Sequence, residues 1–172
     1  MREIATKVYQ FDELSDDVKE RARQWWREGG LDYEWWDFIY EDAERIGLKL
    51  TEFDLDRNRH ACGDFIKDAT EVAELVINEH GDECETYKDA VAFLDERDKI
   101  VDWAERDENG EFVDEYGLDE LLDECENEFL RTLLEDYGII LQHEMEYLLS
   151  DEQVDETIRA NEYEFTEDGN RV

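Results

Sequence analysis

The residue types with the widest chemical reach, histidine and cysteine, occur three times each in this chain and form two close pairs, His60/Cys62 and His80/Cys84. Four such ligands could hold zinc, but neither spacing makes the C-x-x-C knuckle of a structural site. The spacing therefore predicts reduced thiols, Cys125 included, and no metal. Asp54, Asp56 and Asn58 imitate the first half of a calcium-binding loop. The imitation fails where Arg59 replaces the sixth-position Gly and Phe65 the twelfth-position Glu. No phosphate-cradling P-loop, G-x-S-x-G elbow, H-E-x-x-H zinc helix or Glu-x-x-His di-iron pair is present. The expectation is a protein without cofactor and without catalysis, in which His143 sits on the inward side of a strand as a satisfied core histidine.

The chemistry left is that of carboxylates. The chain carries 53 Asp and Glu against 18 Lys and Arg, a net charge of -35. The excess is lopsided: residues 101–150 hold 17 acids against Arg106 and Arg131 alone, and no lysine follows Lys99. The candidate partner-binding residues are Asp107, Glu108, Asp114, Glu115, Asp119, Glu120, Asp123, Glu124, Glu128, Glu135 and Asp136. Within them Asp119/Asp123, Glu120/Glu124 and Glu124/Glu128 are like-charged pairs one helical turn apart, each unfavourable by about 0.2–0.5 kcal/mol. At about 1.5 Å rise per residue, the acids from Asp119 to Asp136 give roughly one charge per 3.4 Å, close to the phosphate spacing along one DNA strand. A solvated acidic face, or adaptation to a high-salt cytoplasm, would also account for acids in bulk. The helical density points instead to a specific anionic surface.

Elements must hold those carboxylates in place. Hydrophobic residues make up 41% of the chain and aromatics 12%, enough for a folded core. Proline is absent, which favours uninterrupted helices and one domain over residues 1–172. The patterns predict strands at Ile4–Phe11, Leu48–Asp56, 140–149 and 162–167. Helices are predicted from Ser15 to Gly29, from Asp32 to Gly47, from an Asp68/Glu71 capping box to Gly81, and from Thr86 to Arg106. A further helix carries Leu118, Leu121, Leu122, Cys125, Phe129, Leu133 and Tyr137 at spacings of three or four and closes at Gly138. Leu141, His143, Met145, Tyr147 and Leu149 then alternate with mostly polar residues, a half-buried strand. Ser150 and Gln153 box a last helix to Ala160. The fold class is α+β: a small, mostly antiparallel sheet of about four strands with helices packed on one face. Trp25-Trp26 and Trp35-Trp36 fall at helical spacing, so one member of each points inward, and Trp26 is the outward interface candidate. Arg57, Arg59 and His60 form the one basic island.

The stretches KVYQFDELSDDVKERARQWW (7–26), YEWWDFIYEDAERIGLKL (33–50) and ANEYEFTEDG (160–169) resemble small acidic phage- and prophage-encoded proteins, some labelled antitoxin-like. The resemblance implies a bacterial host cytosol and transfers no functional residue. In that setting a strongly acidic folded protein is expected to act as a DNA mimic, blocking the basic groove of a nucleic-acid-binding defence protein of the CRISPR or restriction type. An antitoxin that neutralises a basic toxin is the alternative, and an unrecognised enzyme a third. Direct nucleic-acid binding is excluded by the charge. Membrane association is excluded by the same charge and by the lack of an apolar run of about 18 residues. The N-terminal MREIATKVYQFDE lacks a signal-peptide core. A homodimer is left open. Because the Cys/His pairs lack a zinc spacing, chelator treatment is expected to leave the melting temperature unchanged, and a large loss restored by zinc would contradict that.

Overall fold

In the computed structural model, which describes residues 7–172, a two-residue strand β1 (Tyr9–Gln10) runs through a single 3-10 turn into α1 (Asp16–Gly29). Next come α2 (Asp37–Arg45), β2 (Leu48–Asp54), β3 (His60–Phe65), α3 (Ala69–Glu79) and α4 (Glu85–Trp103). The chain closes with α5 (Glu115–Leu148), α6 (Asp151–Ala160) and β4 (Glu164–Phe165). The class is α+β, dominated by helices. The expected single sheet is replaced, among the described residues, by two separate antiparallel pairs, β1 with β4 and β2 with β3.

Two compact units form, one from the residues up to Trp35 together with His143–Val172, the other from Trp36–Gln142. In the first, Phe11, Leu14, Ala22, Trp26, Val154, Ile158 and Phe165 make the core. Arg23 clamps Asp155 with two hydrogen bonds of 2.6 and 2.8 Å, tying α1 to α6. The outward role expected of Trp26 is thus overturned: it is 5% exposed, and Trp25 is the half-buried member, edge-on to Tyr163 at 5.3 Å. The strand expected over Ile4–Phe11 shrinks to Tyr9–Gln10, with Ile4, Ala5 and Thr6 outside the described residues.

In the second unit, the helix expected from Asp32 starts at Asp37, after both Trp35 and Trp36. Gly47 ends it in the left-handed region at φ +88°, where a Cβ would meet Lys67 Cδ at 2.7 Å. Asp68 caps α3 by accepting from the Thr70 amide at 3.0 Å, while the Glu71 carboxylate is taken by Lys67 at 2.6 Å instead of closing a box. β3 is new relative to the sequence reading. Its sequence HACGDF alternates poorly, and only Ala61 is buried on it, so the pairing with β2 creates the strand.

The largest correction concerns 140–149, which is helical: α5 runs through Gly138 without a break. The alternating pattern contained a second one. Leu141, Met145 and Leu149 continue Phe129, Leu133 and Tyr137 at intervals of four, the spacing of one helix side. His143 and Tyr147, taken for inward residues, point to solvent, Tyr147 being 58% exposed. Nothing at Gly138 requires a glycine, since a Cβ there would lie 3.7 Å from Ala61 N and from Arg59 Cγ, ordinary van der Waals contact. Gly138→Ala is therefore expected to stabilise the fold by about 0.5–1 kcal/mol, read as a rise of about 2 °C in Tm. A fall in Tm would show that the helix is strained at this point.

Candidate functional site

Two of the candidate acids build the entrance to α5. Asp107 Oδ1 accepts from the amides of Asn109 at 2.8 Å and Glu111 at 3.0 Å, closing a turn around Gly110. The Arg106 guanidinium stacks 3.9 Å from the Phe112 ring and donates to the Gly110 carbonyl at 2.9 Å. Asp114 accepts from the Gly117 amide at 2.9 Å, the hydrogen bond of an N-cap. These two carboxylates are tied to backbone amides, and Glu108 stands exposed at the turn between them.

Three more have partners further along the helix. Glu128 and Glu135 grip Arg131 from the turns before and after it, with Arg131 Nη1 donating to Glu135 at 2.6 Å and Nε to Glu128 at 2.9 Å. That guanidinium holds Glu128 below the usual carboxylate range. Asp136 is half-buried against Asp89, and burial, reinforced by the Asp89 charge, pushes its carboxyl up to about 7. The acids that stay exposed and unpaired lie in the first third of α5. Glu115, Asp119, Glu120, Asp123 and Glu124 have no ion-pair partner among the described residues. In the other unit Arg23 and Arg27 bind Glu20, Asp155 and Asp151, and Arg159 binds Asp12.

Beside this acidic stretch lie apolar side chains that the sequence reading did not assign to a surface. Trp103 is 81% exposed, Tyr116 74%, Val113 57% and Leu121 52%. Trp103, Val113 and Leu121 line a groove of about 320 Å³ between the end of α4 and the start of α5. Leu121 was counted in the buried stripe, and its departure from the Leu118, Leu122, Cys125, Phe129 row is the signal that could have found it.

The remaining candidates resolve into structural roles. Tyr137, fully buried, donates to Asp42 Oδ2 at 2.8 Å, while His80 lies 3.4 Å from the same oxygen through Nε2 and 2.7 Å from Thr86 Oγ1 through Nδ1. His80 and then the Tyr137 hydroxyl hold Asp42 below the usual carboxylate range. The order hydroxyl, imidazole, carboxylate copies a hydrolase triad, but Thr86 is 3% exposed and cannot meet a substrate. This network, invisible to spacing, ties α2, α4 and α5 around the turn after α3. Cys84 is exposed and apart from any ligand set, and burial pushes the Cys62 and Cys125 thiols up, away from reactivity. No group of three or more metal-ligating side chains occurs among the described residues. In the basic island, Arg59 donates to Gln142 at 2.6 Å and His60 Nδ1 sits 2.7 Å from the Asn58 carbonyl. No helix among the described residues is long and apolar enough to cross a membrane.

No protein-family model, curated protein or solved structure matches this chain.

The Asp136 carboxyl yields a pH prediction. A carboxyl whose pKa rises on folding costs nothing below its unfolded value of 3.8 and its full penalty above about 7. Asp136→Asn keeps a donor toward Asp89 and removes that penalty. Relative to wild type it is expected to raise stability by about 1 kcal/mol at pH 8, allowing for the solvent that reaches the group, and by little at pH 4. Equal melting shifts at both pH values would contradict the assignment.

Proposed function

We propose that this protein is a non-enzymatic inhibitor that lays the acidic face of α5 into the basic groove of a nucleic-acid-binding host defence protein, in the manner of a DNA mimic. The observation that carries this reading is the run Glu115, Asp119, Glu120, Asp123 and Glu124, exposed on a helix and in no ion pair among the described residues. Repulsion between side chains one turn apart is held in place by the fold and relieved when a partner supplies Lys and Arg. A fixed helix avoids the ordering cost that a flexible acidic tail would meet on binding. The field of a chain at -35 steers a basic partner in from a distance and falls off with salt. The resemblance to acidic phage and prophage proteins fits a bacterial cytosol and a CRISPR or restriction enzyme as target.

The exposed apolar groove beside the acids favours a second reading, an antitoxin gripping a basic toxin, because a pure charge mimic has no use for Trp103 and Leu121. The two are separated by competition. The joint variant D119N/E120Q/D123N/E124Q removes four charges and the two repulsive pairs these residues make with each other, and relieves Glu128 as well, so its Tm should hold or rise slightly. Its affinity for a partner recovered from bacterial lysate at low salt is expected to fall at least about tenfold, or 1.4 kcal/mol. Duplex DNA should compete with the wild-type protein for that partner. Lost binding without DNA competition selects the antitoxin, and unchanged binding in a folded variant removes this helix face from the mechanism.

A further inference from the structure

Of the eleven large hydrophobic side chains that stand exposed among the described residues, four fall between Trp103 and Leu121, and three of these, Trp103, Val113 and Leu121, line one groove. Scattered exposed apolar residues are ordinary, but a cluster about a concavity marks a binding surface. Ile100, Trp103, Val113, Gly117, Leu118 and Leu121 form its walls, with a volume of about 320 Å³, room for one or two large side chains. Its rim is acidic. Glu105 lines one side. On the other, Gly117, Leu121 and Glu124 follow one another at spacings of four and three along one side of α5, with Glu120 adjacent. Of the nearest cations in sequence, Arg106 is held on Phe112 and the Gly110 carbonyl, and Lys99 pairs with Glu96 at 3.8 Å.

We infer that this groove is a socket for an apolar side chain of the partner protein, presented on a segment flanked by lysine or arginine. The inference rests on the reading of α5 as the partner-binding face and specifies what that partner must carry: an apolar anchor seated among carboxylates, beyond positive charge alone. Charge decides against the other occupants. A second copy would bring another net charge of -35 to the same acidic rim. Nucleic acid has the same sign. A basic segment gains twice, because its stem buries Trp103 and Leu121 while its charges meet Glu105, Glu120 and Glu124. Tryptophan in a central pocket ringed by polar groups is the usual anatomy of a residue that dominates binding energy.

The test uses two synthetic peptides of equal length and equal lysine content. One is built only of Lys, Gly and Ser, and the other carries Leu and Phe one helical turn apart. The apolar peptide is expected to bind the full protein about tenfold more tightly, a ratio that persists as salt is raised while both affinities fall. Trp103→Ser with Leu121→Ser should erase the ratio and leave the plain peptide unaffected. Should the double variant melt early, Trp103→Ser alone, at a residue 81% exposed, serves the same purpose. Equal binding of the two peptides, or an advantage that survives the serine variant, overturns the socket. The acidic reading still stands in that case if D119N/E120Q/D123N/E124Q weakens both peptides, and falls if it weakens neither. Sedimentation that reveals a dimer lost on Trp103→Ser assigns the groove to a second copy and likewise overturns the inference.

Discussion

Burial along one side of α5 is the constraint on which the second unit depends. Phe129, Leu133, Tyr137 and Leu141 are at most 2% exposed, and Phe129 stacks on Phe93 at 4.4 Å with the rings nearly parallel. Each such side chain stabilises the fold by about 1.5–3 kcal/mol on leaving water. Each like-charged pair on the outer face costs about 0.2–0.5 kcal/mol. The buried side therefore wins by a wide margin. A helix that its own surface charge disfavours is held by that burial, and it continues through Gly138 without a break.

Charge is distributed in a way that stability alone does not call for. Arg23, Arg27 and Arg159 bridge separated parts of the first unit. Of these, the Arg23–Asp155 pair is partly buried and bidentate, the kind that repays fixing two side chains. On α5 the lone arginine serves Glu128 and Glu135, in the middle of the helix, and the acids before it face water unanswered. The carboxyl of Asp136 escapes repulsion by keeping its proton near neutrality. Thus the helix has an uncompensated beginning, a paired middle and a proton-sharing contact with α4, and the apolar groove opens beside the uncompensated part.

Much of this was legible where the physics is local. Ser15, Asp68 and Ser150 stand at helix starts, and Gly47 and Gly110 take the positive φ angles expected of glycine at a stop or turn. The eleven candidate acids are all exposed except half-buried Asp136. Their individual roles were not legible. That Asp107 and Asp114 are capping groups depends on backbone amides brought round by the turn, and that Asp136 holds its proton depends on Asp89 across a helix interface. Trp26 was misassigned because adjacent residues on a helix point 100° apart, and choosing the inward one needs the neighbouring helix α6.

By itself the sequence determined the sign and location of the charge, the helical class of most of the chain, and the caps and turns, because each rests on a residue and its near neighbours. Tertiary structure alone decided the rest. A period of two at 141–149 contains a period of four, and only burial of Leu141 in continuity with Tyr137 selects the helix. A weak segment such as HACGDF becomes a strand only because β2 offers it hydrogen bonds. Trp103 and Leu121 become a groove only when the end of α4 and the start of α5 are folded side by side. Periodicity constrains which faces can be buried, but the partner that buries them lies far away in the chain, and proximity of distant segments is a property of the folded state.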